Sequence, residues 1–185
     1  MSLTVKPLSP EFGVEILGAN VADAGDNIVQ AIRQAWLGSG GLAVVRDQDL
    51  TTDDHVTFAK YFGPLFGAPD EELLQDTVSV YIHPEHPEIY RVSNQVDSKG
   101  NPKGRKGAGT YWHSDVSFRE QPASASILSA KQIPLSGGDT IFCDQSRAFE
   151  ALSNSMKALL TPLQALHDFE VIARSQYSRN VLIPK

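Results

Sequence analysis

The residues best equipped for chemistry lie in Tyr111-Trp112-His113-Ser114-Asp115-Val116-Ser117-Phe118, where an imidazole and a carboxylate stand two positions apart. Tyr111, Trp112, Val116 and Phe118 are strand formers, so the run reads as extended, with successive side chains on opposite faces. His113 and Asp115 then share a face, their α-carbons roughly 6.5 to 7 Å apart, and both can reach one metal ion. A neutral nitrogen and an anionic oxygen supply two members of the facial triad of non-haem Fe(II) oxygenases, which keep other positions open for substrate and dioxygen. The His-x-Asp spacing alone is a weak signal. It also suits a histidine held by a neighbouring carboxylate at a strand end.

Two further stretches sharpen the reading. Pro122-Ala123-Ser124-Ala125-Ser126-Ile127-Leu128-Ser129-Ala130-Lys131 reads as a small-residue strand, and Ser136-Gly137-Gly138-Asp139-Thr140-Ile141-Phe142 as a glycine turn feeding another short strand. The Trp-His-x-Asp-x-x-Phe block, the alanine-rich strand and Gly-Gly-Asp-Thr, taken together at this spacing, resemble the Fe(II)- and 2-oxoglutarate-dependent taurine dioxygenase family. The resemblance implies that His113 and Asp115 are iron ligands and that Thr140 contacts the 2-oxoglutarate carboxylate. It implies hydroxylation of a small sulfonate, sulfate ester or carboxylate, consuming dioxygen and 2-oxoglutarate and releasing succinate and CO2. It also implies that a distal histidine and an arginine, absent from these 185 residues, complete the site. On that reading the chain is an amino-terminal fragment, and residues 175–185 end inside the region that covers the active site. Two rivals remain open. One is an inactive fragment acting as an interaction module through an exposed sheet edge, which leaves pairing into a homo-oligomer open. The other is a zinc hydrolase of similar barrel shape, against which Thr140 in its glycine turn argues.

The elements that must position these residues fit a single domain over residues 1–185. Leu3–Lys6 and Gly13–Leu17 read as strands around a turn, and Leu42–Arg46 as a buried strand. Asp26 is placed to cap a helix running to about Leu37, with Ile28, Ile32, Ala35 and Trp36 as its apolar stripe. Thr51 or Thr52 caps a second helix carrying Val56, Phe58, Ala59 and Phe62, which Gly63-Pro64 stops. Phe66–Glu88 reads as a loop or lid, Glu88–Asn94 as a strand, and Gln95–Thr110 as a polar, glycine-rich loop. Ser146–Leu152 and Met156–Leu160 read as short helices with Phe149, Leu152 and Leu159 turned inward. Strands with flanking helices and no repeating strand–helix unit predict an α+β, mainly β fold. The form expected is a distorted double-stranded β-helix of jelly-roll, cupin-like type, incomplete at its carboxyl end.

Other residues carry secondary expectations. Asn94, at the end of its strand, either faces the substrate or is a strand-terminating turn residue. Lys99, Lys103, Arg105 and Lys106 make the loop basic, so it either attracts an anionic substrate or is simply solvated. Trp112 and Phe118 are expected to pack as a dry shell around the ligand strand. His83 and His86 each precede proline, which disfavours the helical register in which such a pair would share a metal. His55 is expected on the exposed side of its helix. His167 is the histidine after the ligand block and matches a non-ligand position in the family. A net charge of −6 from 16 basic and 22 acidic residues argues against general nucleic-acid binding. The single cysteine, Cys143, fits a reducing compartment. With no apolar run of membrane-spanning length, a cytoplasmic protein is expected.

Overall fold

A computed structural model of the chain describes residues 3–66 and 81–168. Most of the expected lid, and all of residues 175–185, lie outside those residues. Two compact units divide the chain, one comprising Met1–Tyr61 with Leu128–Gln164 and the other Phe62–Ile127 with Ala165–Lys185.

The first unit is built on a three-stranded mixed sheet in the order β1-β2-β3. Strands β1 (Thr4–Pro7) and β2 (Val14–Leu17) pair antiparallel, with Val5 opposite Ile16. The connection is held by Ser9, whose Oγ accepts from the Phe12 amide at 3.2 Å and donates to the Phe12 carbonyl at 2.8 Å. Helix α1 (Asp26–Gly38) then carries the chain over to β3 (Ala43–Val45), which runs parallel to β2. Such a crossover is what a parallel pair requires. Among the described residues the expected buried strand therefore lies at the edge of the sheet, and all three of its residues are only half-buried.

The cap of α1 is Gly25 and not Asp26, which is the first helical residue and makes no side-chain cap. Its carboxylate still lies in the first turn, where the helix dipole favours negative charge. Helix α2 (Thr52–Lys60) starts as the sequence predicts, on a capping box between Thr51 and Asp54. The Thr51 side chain, then its backbone amide, holds the Asp54 carboxyl below the ordinary carboxylate range. What this bond contributes is present above the ordinary value and is lost as pH falls through the lower, folded one.

The core gathers Ile16 from β2, Ala19, Val21 and Ala24 from the following loop, Val29 and Ile32 from α1, and Val56 and Phe58 from α2. Gln48 ties that loop to the segment after β3, donating to the Ala19 carbonyl at 2.7 Å and accepting from the Val21 amide at 2.9 Å. His55 is half-buried, not exposed.

Helices α3 (Gln145–Glu150) and α4 (Asn154–Leu160) begin at side-chain caps from Asp144 and Ser153. Their apolar residues do not turn into a core. Phe149 is 39% and Leu159 60% exposed, because no second layer covers them among the described residues. The expected strands at 122–131 and 139–142 have no strand assignment either. Residues 123–130 are nonetheless alternately half-buried and exposed, the period of extended chain. The described residues thus hold three strands in one sheet.

In the second unit the expected strand at 88–94 is a set of isolated bridges, Ile82 with Tyr90 and Val92 with Arg105. The glycine-rich loop folds back on it. The Arg105 amide donates to the Arg91 carbonyl at 2.8 Å, the Ser93 amide to Arg105 at 3.2 Å, and the Lys103 amide to Gln95 at 3.0 Å.

Candidate active site

The run expected as a strand at 111–118 is instead irregular chain leading into a turn at 115–118, with Val116 at φ 46°. The turn closes through the Arg119 amide donating to the Val116 carbonyl at 3.1 Å. Side-chain bonds from elsewhere in the unit outweigh the strand propensity of Val116 and Phe118. His113 and Asp115 converge all the same, though not through the pleat of a strand.

The imidazole of His113 is oriented by its own backbone. Nδ1 lies 2.9 Å from the Tyr111 carbonyl. A carbonyl only accepts, so Nδ1 is the donor in that contact and Nε2 is the ring nitrogen left facing away from the backbone. Nε2 lies 3.4 Å from Asp115 Oδ1. Two donors each about 2.1 Å from one divalent first-row ion, at right angles, stand about 3 Å apart. The observed pair needs only slight closure to hold such an ion in adjacent positions.

The other carboxylate oxygen, Asp115 Oδ2, accepts a hydrogen bond from Ser126 Oγ, which leaves Oδ1 as the oxygen facing His113. Both side chains remain accessible, His113 at 41% and Asp115 at 53%. No third His, Cys, Asp or Glu joins them among the described residues. His167 stands apart from the pair among the described residues, its Nδ1 2.9 Å from Ser117 Oγ. His83 and His86 approach each other, with ring centroids 5.2 Å apart, but His83 Nδ1 already accepts from the Glu85 amide.

Trp112 is 67% exposed, so it forms no dry shell among the described residues, while Phe118 is half-buried. Asn94 lies in the same unit as the His113–Asp115 pair, exposed at a bend. Thr140 belongs to the first unit, where it is exposed just after the turn made by Gly137 and Gly138, both at positive φ. An open cleft of about 340 Å³ in the first unit, lined by Glu11, Phe12, Asp144 and Arg147 among others, contains none of these candidates.

The basic loop is fixed in place, in contrast to a freely solvated one. Asp97 Oδ1 accepts from the Lys99 and Asn101 amides, both at 2.8 Å, and Oδ2 from Asn101 Nδ2 at 3.0 Å. The Asn101 side chain, then its amide, keeps the Asp97 carboxyl below the usual range. With that carboxylate engaged inside the turn, Lys99, Lys103 and Lys106 stand exposed without an ion pair among the described residues. The loop closes near the pair, since a Cβ at Gly109 would sit 3.5 Å from His113 Cε1.

Gly104 makes this folding possible. A Cβ there would meet the Arg91 carbonyl oxygen at 2.8 Å and the Ser93 nitrogen at 2.9 Å, both backbone atoms. Gly104→Ala is therefore expected to cost about 1–3 kcal/mol and to expose the Arg105 amide to hydrogen exchange. Unchanged exchange at Arg105 would mean that the loop is held in another way.

The chain matches the family described as "Taurine catabolism dioxygenase TauD, TfdA family" over residues 4–181. It belongs to that family. Among curated relatives of this TauD/TfdA-family protein is the alpha-ketoglutarate-dependent 2,4-dichlorophenoxyacetate dioxygenase of Cupriavidus pinatubonensis. It is 34% identical over 90% of this chain and 58% of its own length. The alpha-ketoglutarate-dependent sulfonate dioxygenase of Saccharomyces cerevisiae is 30% identical over 89% of this chain and 39% of its own length. A solved structure from Burkholderia xenovorans, provisionally assigned as an alpha-ketoglutarate-dependent taurine dioxygenase, superposes with a TM-score of 0.67. It is 30% identical and covers 86% of this chain and 51% of its own. The chain spans about half the length of the curated relatives it matches. The family resemblance drawn from the sequence is borne out.

Sequence reasoning missed the Tyr111 carbonyl and the hydroxyls of Ser117 and Ser126 as partners of the site. Only the last had a signal, the alternating small residues of 122–131 that place Ser126 on one face of an extended segment. No helix among the described residues is long and apolar enough to cross a membrane.

Proposed function

We propose that this TauD/TfdA-family protein is an Fe(II)- and 2-oxoglutarate-dependent dioxygenase that hydroxylates a small anionic substrate, of sulfonate, sulfate ester or carboxylate type, with release of succinate and CO2. The observation that supports this reading is the convergence of His113 and Asp115, with Nε2 set 3.4 Å from Oδ1. Bound there, Fe(II) supplies open coordination positions at which dioxygen and 2-oxoglutarate can react. His113 and Asp115 hold the ion, the carboxylate offsetting part of its charge. The Tyr111 carbonyl and the Ser126 hydroxyl keep both donor atoms aimed. Thr140 donates its hydroxyl to a 2-oxoglutarate carboxylate, and Asn94 faces the substrate. Lys99, Lys103 and Lys106 raise the local concentration of anions, an effect that weakens with salt.

The third ligand and an arginine for the far carboxylate are proposed to lie in the further length that the relatives possess. Both units then belong to one dioxygenase domain that completes a cupin-like double-stranded β-helix. We place the protein in the cytoplasm and leave pairing into a homo-oligomer open.

The test is succinate formation by the intact gene product, given Fe(II), 2-oxoglutarate and a panel of sulfonates, alkyl sulfates and phenoxy acids. Succinate that depends on one member of the panel is the expected result. Failure to bind 2-oxoglutarate in an Fe(II)-dependent manner would sink the proposal.

A further inference from the structure

The turn that presents Asp115 is an unfavourable structure in an open place. Val116 is a β-branched residue at φ 46°, a conformation worth roughly 1–3 kcal/mol of strain. Such a residue persists only where its surroundings over-determine it. Within the turn the local support is slight, one backbone bond from Arg119 to Val116 at 3.1 Å, and the Asp115 side chain is 53% exposed. The Arg119 guanidinium beside the turn lies 4.1 Å over the Phe66 ring, and two side chains from outside add further support. Ser126 holds Asp115 itself. His167, fifty positions further along, shares a 2.9 Å hydrogen bond through Nδ1 with Ser117 Oγ. Ser117 is half-buried, although the bond itself is exposed.

We infer that His167 is a positioning residue for the metal site, acting through Ser117 to fix the turn that aims Asp115. This rests on the reading of His113 and Asp115 as metal ligands. His167 touches neither the metal nor the substrate. It holds the geometry in which Oδ1 of Asp115 faces Nε2 of His113. Loss of a partner bonded directly to a ligand weakens metal affinity by about 10- to 100-fold, and His167 acts one step further out, so the lower end of that range is expected.

The measurement is Mn(II) affinity of the intact gene product, from the electron paramagnetic resonance signal of free Mn(II), with no co-substrate or turnover involved. His167→Leu and Ser117→Ala are each expected to weaken binding by about tenfold. The double variant should be no weaker than either single one, because both remove the same bond. His167→Asn, which can place a polar nitrogen or oxygen near the position of Nδ1, should restore most of the affinity. A merely structural role would not give that rescue. Retention of wild-type affinity in His167→Leu, or losses that multiply in the double variant, would overturn the inference. Should His167→Leu fail to fold, Ser117→Ala decides alone, and wild-type affinity in it overturns the inference equally. His113→Ala in the same assay separates the two readings. If it binds as well as wild type, the ligand assignment fails and the inference falls with it. If it alone loses the metal, only the role of His167 fails.

Discussion

Replacing His113 by alanine is expected to abolish Fe(II) binding and with it all turnover of 2-oxoglutarate. Partners that merely orient a ligand are worth about 10- to 100-fold in metal affinity, so removal of the ligand itself should exceed 100-fold. The substitution leaves Asp115 as a lone carboxylate, which holds a transition metal poorly without a nitrogen donor beside it. Because the imidazole is 41% exposed, its loss removes little packing, and the variant should unfold at the same denaturant concentration as the parent. That separates loss of metal from loss of fold. An anaerobic titration with Fe(II) in the presence of 2-oxoglutarate reads the effect through the weak visible charge-transfer band. A band of undiminished intensity in His113→Ala would remove His113 from the ligand set.

The largest effect on stability is expected at Ile16→Ala. Ile16 is fully buried, at 0% exposure, in the central strand of the sheet, with Val5 opposite it on one side and Val45 on the other. Its carbonyl accepts from the Arg46 amide at 3.2 Å, so the backbone around it is fixed and cannot readily collapse into the space left behind. Truncating a buried isoleucine costs about 2–5 kcal/mol, against a total of about 5–15 kcal/mol for a typical domain. Denaturant unfolding should show a lower midpoint with an unchanged slope. A change below about 1 kcal/mol would mean that the core is loosely packed at this point, contrary to its complete burial.

The amino-terminal unit was legible in the sequence because local and tertiary preferences coincide there. Alternating apolar residues mark β1 and β2. The Thr51-to-Asp54 spacing marks the start of α2, and Ile32 at the centre of a helical stripe is buried as its period demands. The run from Tyr111 to Phe118 was misread because propensity speaks for a strand, whereas contacts from Ser126 and His167, eleven and fifty residues beyond their partners, fix a turn. No local pattern encodes such distant bonds. Phe149 and Leu159 show the opposite failure, since a helical stripe predicts burial only when something exists to cover it. The residues of the candidate site were found by type and spacing. The orientation of the His113 ring, the oxygen of Asp115 that faces it and the pinning of the basic loop through Gly104 depend on distances that a sequence does not carry.

Val116 bears on how far this protein can be improved by engineering. A residue at φ 46° is a natural target for thermostabilisation, because glycine would relieve the strain at that position. The same exchange would widen the range of conformations open to the neighbouring carboxylate. A library selected for heat tolerance alone would therefore drift toward glycine at position 116 and shed metal affinity as it did so. A library selected for metal-dependent turnover would keep the branched side chain and accept the lower melting point.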